Sequence, residues 1–264
     1  MELRTAGRSA AGLVVVAGCA ATLIVAGCTP SSGGDDATGD SSDNSAPAPP
    51  TVGLTPFTPI DTPPAVTGDG PITDSAVLAG RLLSIADLPP GYTGYDLPPP
   101  DPSAPGAAAE DRSSTDPAEC AAVLAPIATQ RPGVVSAASV SYGGPRFSSL
   151  DQDAASYDGP GASTAFGTVQ DALTRCTRFS GTDADGVRVD YRVGASTLLD
   201  DAAPIGDASV AVRLAVTSDG VSLTTDAVVT MVGSTVSQLV ATGVEPVDPD
   251  LIRTLARTAA DRLR

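Results

Sequence analysis

The order of apolar and polar positions divides the chain into three parts. Residues 10–27 are almost entirely apolar or small, residues 29–71 are mostly Ser, Asp, Gly, Thr and Pro, and apolar residues recur periodically from residue 72 onwards. The middle part has almost nothing to bury, so we expect it to be disordered. The last part, roughly 190 residues, has a normal length for one folded domain.

Helical periodicity occurs four times in this last part. Asp74 is a helix cap for a predicted helix over 74–83, and Asp116-Pro117-Ala118-Glu119 has the form of a second helix start. Pro126 should end or kink that second helix. Apolar residues at helical spacing predict a third helix over 161–176, and Asp248-Pro249 predicts the start of a fourth.

Alternating apolar and polar residues predict strands in the remaining segments. The predicted strands are 134–142, 146–157, 187–193, 210–216, 223–231 and 235–241. The turn Ser218-Asp219-Gly220 is a hairpin signal between the fourth and fifth of them. We therefore predict an α+β fold, in which one antiparallel sheet carries helices packed on one face, within a single domain.

The apolar run near the start has the layout of an export signal. Arg4 and Arg8 precede it, and Val25-Ala26-Gly27-Cys28 ends it. These four residues resemble the lipobox of bacterial lipoproteins, in which the cysteine thiol receives a diacylglycerol whose acyl chains include palmitate. We therefore predict a signal peptide over 1–27, lipidation of Cys28, and a Ser/Asp/Pro-rich tether over 28–71 before the domain at 72–264.

Two alternatives to this processing remain open. Val16-Ala17-Gly18-Cys19 is a second lipobox candidate, although only the short apolar stretch 13–17 would precede it. Residues 10–27 could also stay in the bilayer uncleaved, because that length just reaches the spanning range. Arg before the run and Asp after it place the remaining chain outside in each case. We therefore predict a lipid-anchored protein on the extracytoplasmic face of the cell membrane.

The composition excludes several classes of function. Removing residues 1–27 leaves 30 acidic residues against 13 arginines, a net charge of −17. Such a surface repels phosphates, so no nucleic-acid partner is expected. The chain contains no His, Lys or Trp, so it has no imidazole base, no Ser-Lys dyad and no Schiff-base amine. A carboxylate-based hydrolase remains possible, because 27 aspartates are present.

Two cysteines and one aspartate-rich turn are the strongest local motifs. Cys120 and Cys176 each fall on the apolar face of a predicted helix in an exported protein, so we predict a disulfide between them. The alternative is two buried free thiols. Asp183-Ala184-Asp185-Gly186 begins like a calcium loop but lacks the bidentate Glu, so we predict an ordinary turn. We assign no metal, no cofactor and no catalytic residue.

The segment ADLPPGYTGY over 86–95 is the predicted ligand or partner surface. Pro89-Pro90-Gly91 fixes a rigid turn that presents Tyr92 and Tyr95 beside a long loop over 97–115. Tyrosine suits such a surface, because its ring provides contact area and its hydroxyl can orient a polar ligand. The alternative is that the rings cover the edge of the core.

Five segments carry a family resemblance. They are LLSIADLPPGY at 82–92, the cysteine of DPAECAAVL, the cysteine at the end of the third helix, VVTMVGSTVSQLVATG and DPDLIRTLARTAADRLR. Together they resemble a group of actinobacterial lipoproteins whose domain is similar to the extracellular sensor domain of mycobacterial receptor Ser/Thr kinases. The resemblance implies an antiparallel sheet flanked by helices, a cleft for an unidentified ligand, and no catalysis.

Two departures from that family pattern concern the cleft. The sensor domain usually has a second disulfide and a Trp near the helix cysteine, and Leu173-Thr174-Arg175-Cys176 provides neither. We predict a non-catalytic, membrane-anchored lipoprotein with a sensor-like domain that binds a small ligand or an envelope partner. The alternatives are an Asp-based envelope hydrolase and a purely structural envelope component.

Overall fold

The computed structural model describes residues 54–62, 70–95, 112–130, 132–199 and 203–264. The predicted signal peptide, the predicted lipidation site Cys28 and most of the predicted loop 97–115 lie outside these residues. Within the described ranges, no helix is both long enough and apolar enough to cross a membrane.

A single antiparallel sheet of nine strands organises the described residues. In chain order the strands are β1 Thr93–Gly94, β2 Ser114–Asp116, β3 Val134–Gly143, β4 Ser149–Tyr157, β5 Arg178–Thr182, β6 Arg188–Ala195, β7 Ala208–Ser218, β8 Val221–Val232 and β9 Thr235–Gly243. Their order across the sheet is β1-β3-β4-β9-β8-β7-β6-β5-β2. The predicted hairpin joins β7 to β8, and Asp219 and Gly220 both have positive φ there. The predicted antiparallel sheet is therefore confirmed.

The first two predicted helices are shorter and more broken than the sequence pattern predicts, whereas the third and fourth are confirmed. The helices are α1 Ser75–Ala79, α2 Ala121–Leu124, α3 Ile127–Gln130, α4 Gly161–Arg175 and α5 Pro249–Leu263. The Asp74 carboxylate caps α1 by accepting the Ala76 N–H at 2.7 Å. Pro126 separates α2 from α3, as the missing proline N–H requires.

The prediction that the helices pack on one face of the sheet is corrected by the structure. One core cluster contains α4 and the odd-numbered residues of β8, whereas the other contains α1, α5 and even-numbered residues such as Val228. Successive strand residues point to opposite faces, so the helices cover both. The physical reason is that β7 and β8 are buried at consecutive positions, and two apolar faces both require cover.

Part of the predicted tether is packed against the domain. Residues 54–62, which we call the strap, place Phe57 in the core cluster under α4. The Thr55 carbonyl accepts the Ala195 N–H at 2.8 Å, and the buried Gln170 accepts the Ile60 N–H at 2.7 Å. The strap lies before the boundary predicted at residue 72, and it packs on the domain because the side chain of Phe57 is buried there and two backbone hydrogen bonds hold the segment on either side of it.

The LLSIADLPPGY segment is fixed by the end of α5. Arg262 forms an ion pair with Asp87 at 2.7 Å and donates to the Leu82 carbonyl at 3.2 Å. Burial opposes ionisation of Asp87, but hydrogen bonds from Ser84 and Arg262 outweigh it and lower the pKa of this carboxyl. The Leu83 backbone is also held by the Tyr142 hydroxyl, which donates to its carbonyl at 2.6 Å. This part of the family resemblance therefore has a structural role.

Candidate functional site

The predicted disulfide is formed between Cys120 and Cys176. Their Cα atoms are 5.6 Å apart, and the bond joins the short 3-10 helix Ala118–Cys120 to the residue that follows α4. Both cysteines are buried in the same core cluster as Phe166 and Val169. The bond therefore holds α2 and α3 against α4 and takes no part in an exposed site.

Tyr92 lies in the core, which is the alternative that the sequence left open. Its side chain is 9% exposed and packs in the cluster that contains Leu150 and Ile252. A Cβ atom at Gly144 would lie 2.5 Å from the Tyr92 ring, so the ring rests directly on the backbone of that glycine. Tyr92 therefore supports the end of the sheet and is not available as a surface anchor.

Tyr95 is on the surface at the same end of the sheet. Its ring is 55% exposed, and its N–H donates to the Ser141 carbonyl at 3.0 Å. A Cβ atom at Gly143 would lie 2.5 Å from the Tyr95 hydroxyl, so this ring also needs a glycine beneath it. Tyr95 therefore stays a candidate anchor, held in place by β1 and β3.

The turn between β3 and β4 brings a second aromatic ring to this end. Phe147 is 89% exposed at the tip of the turn, and Val244, 54% exposed, follows β9 on the neighbouring strand. Arg146 Nε lies 3.4 Å from Glu245 Oε2 across these two connections. We call the surface formed by Tyr95, Arg146, Phe147 and Val244 the aromatic rim.

The backbone of this turn adopts an unfavourable conformation. Arg146 and Phe147 have φ values of 54° and 58°, in the left-handed region that type I′ turns normally fill with Asn or Gly. Each such residue costs about 1–2 kcal/mol. The Ser148 N–H donates to the Pro145 carbonyl at 3.2 Å and holds the turn closed. Because Phe147 buries almost nothing, core packing does not compensate for this strain, and such strain is often found at functional sites.

Phe147 was not among the predicted site residues. It falls within the strand predicted over 146–157, whereas β4 begins at Ser149. The signal that could have identified the residue is Gly143-Gly144-Pro145 immediately before it, since such a run marks a turn. A large aromatic residue in a short turn between two strands has no core to enter.

Two cavities elsewhere in the described part of the chain provide weaker sites. The first, of about 20 Å³, lies between α4 and the sheet beside Gln130 and Gln238. It has room for little more than one water molecule. The second, of about 460 Å³, is an open groove between the start of α1 and the β8–β9 turn. Arg81 and Asp207 in its wall already bind the Leu263 carbonyl and the Gly233 N–H, so these groups stabilise the fold.

Asp151 and Asp153 form a pair of neighbouring carboxylates on one face of β4. Burial raises the pKa of Asp153 to about 7, the Ile127 N–H that it accepts at 2.7 Å opposes the rise, and the charge of Asp151 adds to it. Ile127 is the first residue of α3, so Asp153 acts as a cap supplied by another element. Neither carboxylate lines either cavity, and this geometry gives no support to an Asp-based hydrolase.

Asp153→Asn should make the protein more stable at pH 8 by up to about 4 kcal/mol and leave its stability unchanged near pH 4. Because the folded-state pKa is raised from 3.8 to about 7, the stabilising contribution of the protonated group is complete below about pH 4. It is lost as the pH rises through 7. Urea unfolding at several pH values measures the difference, and Asn can still accept the Ile127 N–H.

The matched control is Asp158→Asn, which removes an exposed carboxylate just beyond β4. It should not change the pH dependence of the unfolding free energy. The prediction would be contradicted if the parent became more stable between pH 5 and 8 and if Asp153→Asn showed the same pH dependence of the unfolding free energy.

The fold is similar to that of a mycobacterial extracellular domain. The crystal structure of the extracellular domain of PknH from Mycobacterium tuberculosis matches with a TM-score of 0.52 and 12% sequence identity, covering 74% of this chain and 98% of that chain. An uncharacterized protein from Mycobacterium smegmatis, the Rv0999 ortholog, gives a TM-score of 0.38 and 16% identity over 72% of this chain and 96% of its own. No protein-family model matches the sequence, and no curated protein matches it significantly. The resemblance to kinase sensor domains is thus supported at the level of the fold.

Proposed function

We propose that this chain is a membrane-anchored extracytoplasmic lipoprotein whose sensor-like domain binds a protein partner of the cell envelope through the aromatic rim, without catalysis. The fold shared with the PknH extracellular domain supports the sensor-like part of this proposal. The export signal and lipobox in the sequence support the anchoring. The observation that carries the binding function is the exposure of Phe147 on a strained turn.

The residue types in the rim favour a protein partner. Phe147, Tyr95 and Arg146 belong to the classes that are enriched in protein interfaces and carry much of their binding energy. A rigid aromatic ring also loses little conformational entropy when it is buried by a partner. An isolated Phe on a flexible loop would not have this advantage, whereas the Ser148–Pro145 hydrogen bond fixes the direction of this turn.

The partner is unlike this chain in charge. With a net charge of −16 over the whole sequence, two copies repel each other, which disfavours self-association. The same field attracts a partner with a neutral or basic surface and increases its rate of association. The ion pair of Arg146 with Glu245 leaves the rim itself close to neutral, so apolar contact can dominate there.

A photo-crosslinking amino acid in place of Phe147 should yield a discrete crosslinked product when the full chain is expressed in its native host. The matched control is the same substitution at Val221, which is 57% exposed at the start of β8. We expect a defined band from position 147 and none from position 221. Mass spectrometry of the band then identifies the partner.

Phe147→Gly provides an independent measurement on the same turn. Glycine relieves the positive-φ strain, which should raise the free energy of unfolding by up to about 1 kcal/mol. The melting temperature should therefore stay the same or rise by a few degrees. The crosslink from a probe at Tyr95 should nevertheless weaken at least about tenfold, which corresponds to 1.4 kcal/mol of binding. Equal crosslinking from positions 147 and 221, or an undiminished product in the Gly variant, would refute the proposed interface.

A further inference from the structure

One region of the sheet has no helix over it in the described part of the chain. On the face that carries α1 and α5, these helices pack against β3, β4, β8 and β9. Beyond Arg213 the same face continues across β7, β6, β5 and β2 with polar and small side chains. The strand register places on this face Ser114, Asp116, Arg178, Ser180, Thr182, Arg188, Asp190, Arg192, Ala215, Thr217, Ser222 and Thr224.

Two arginines lie directly opposite each other on this face. Arg178 of β5 and Arg192 of β6 are paired in the strand register, so their side chains leave the sheet on the same side. Arg178 is exposed and Arg192 is partly exposed. Among the described residues, neither guanidinium forms an ion pair or a hydrogen bond.

Two of the neighbouring acidic groups on this face are paired. Asp190, two residues before Arg192, forms an ion pair with Arg188 at 2.7 Å. Arg213 holds the buried Asp226 with two hydrogen bonds, at 2.9 and 2.7 Å. Asp116 of β2, the register partner of Ser180, adds one exposed carboxylate, whose charge acts on Arg188. The face therefore retains a local charge of about +1, although the chain as a whole is strongly acidic.

The opposition of Arg178 and Arg192 is unfavourable for folding. Like charges that face each other across two strands destabilise the sheet. A protein with 31 acidic residues could place one of them here at little structural cost. Two adjacent guanidinium forks instead form an arrangement that matches the oxygens of a phosphate or carboxylate group.

The surface beside the arginines leaves room for such a group. Ala215 is the register partner of Arg192 on β7, and Thr224 is the partner of Ala215 on β8. These side chains are short. In the next row the hydroxyls of Ser180 and Thr217 lie on either side of Asp190, whose carboxylate is paired with Arg188, and both hydroxyls can donate hydrogen bonds. A ligand lying across the face would meet both arginines at one end and hydroxyl groups along its length.

We propose that this face, which we call the arginine face, is a second binding site that takes a soluble ligand bearing a phosphate or carboxylate group. Arg178 and Arg192 bind the oxyanion, and the threonine and serine hydroxyls contact the rest of the ligand. The site is independent of the aromatic rim, because the rim is built from β1 and the β3–β4 and β9–α5 connections.

The test is a calorimetric titration of the full mature chain, in neutral detergent, with inorganic pyrophosphate and separately with citrate. At about 50 mM salt, where screening is weak, we expect saturable binding of at least one of these probes. The double variant Arg178→Gln/Arg192→Gln should bind at least about tenfold more weakly. Arg257→Gln is the matched control, since it removes one exposed arginine of α5 that also has no ion pair among the described residues, and it should change affinity less than about twofold.

Three results would overturn this proposal. The first is the absence of saturable binding of either probe by the parent up to about 10 mM. The second is an equal loss in Arg257→Gln, which would indicate a general charge effect. The third is a double variant that melts well below the parent, because relief of like-charge repulsion should leave its melting temperature equal or slightly higher.

Vesicles separate a soluble ligand from a lipid headgroup. The parent and the double variant, both produced without residues 1–28 so that they carry no lipid and need no detergent, are each incubated with phosphatidylcholine vesicles that contain about one third phosphatidylglycerol, and co-sedimentation is measured. We expect no arginine-dependent co-sedimentation, since the net negative charge opposes approach to an anionic membrane. Arginine-dependent binding to vesicles without binding of either soluble probe would replace the proposed ligand by a lipid phosphate.

Discussion

Replacing Cys120 and Cys176 together by serine should lower the free energy of unfolding by about 4 kcal/mol and the melting temperature by about 8–16 °C. The bond closes a loop of 56 residues, and the chain-entropy model gives this magnitude for such a loop. Both sulfur atoms are buried, so the serine hydroxyls would also have to find hydrogen-bond partners in an apolar cluster.

The loss should be concentrated in the segment before β3. The helices α2 and α3 have four residues each, far below the length at which a helix is stable by itself. The disulfide, Asp153 and the packing of Ile127 are what hold them against α4 and the sheet. Without the bond, amide hydrogen exchange over 118–130 should accelerate more than exchange in β7, β8 or α5.

Denaturant unfolding and hydrogen exchange of the oxidised parent, the reduced parent and the double serine variant measure these effects. The reduced parent and the serine variant should agree within about 1 kcal/mol, since both lack the cross-link. Two thiols that react with an alkylating agent before reduction would show that the bond does not form in the cell. A double variant as stable as the oxidised parent would refute the stabilising role.

Replacing Cys28 by serine should abolish lipidation and leave an unprocessed precursor. In the predicted lipobox over 25–28 the thiol of Cys28 receives the diacylglycerol, and a serine hydroxyl does not replace it in this role. Two or more acyl chains hold a protein on a bilayer with an affinity that the acidic domain cannot supply. Loss of the lipid should therefore abolish membrane association almost completely. The intact mass shows whether the chain is cleaved and lipidated, and partition into detergent shows whether it still associates with membranes.

Cys19→Ser is the control for the choice of lipobox. It should leave processing, mass and membrane partition unchanged, because only a short apolar stretch precedes that cysteine. The reverse outcome, with Cys28→Ser unchanged and Cys19→Ser unprocessed, would move the cleavage site. A parent that keeps its signal segment and carries no lipid would favour the uncleaved spanning helix.

The longer elements could be predicted from the sequence because their signals are local. Alternation of apolar and polar residues identified β3, β6, β7, β8 and β9, and helical spacing identified α4 and α5. The strands β1, β2 and β5 have two, three and five residues, too few for a periodic pattern to stand out. They exist because the neighbouring strands offer unpaired backbone groups at their edges.

The candidate sites were only partly predictable. The segment that contains Tyr95 was identified from its rigid turn and its neighbouring loop, and Tyr95 is indeed exposed. Tyr92, three residues earlier, is buried, and the sequence left that alternative open because spacing alone does not set the face of an irregular segment. Phe147 and the arginine face were not identified, since both depend on which residues are neighbours in space.

The sequence by itself determined the exclusion of imidazole and lysine chemistry, the disulfide pair, and the position of the long strands and helices, because each depends on residue identity or local periodicity. It also predicts the export signal and its lipobox, which stay predictions. The tertiary structure decided which faces of the sheet are covered, where the strap docks, and which side chains stay on the surface. Strand register shows this most clearly. Arg178 and Arg192 are ordinary polar positions in two separate strands, and only the pairing of β5 with β6 places their charges side by side. That register is set by the burial of Phe179 and Tyr191 on the opposite face, whose rings stack at 4.6 Å, so the core determines the geometry of the charged surface.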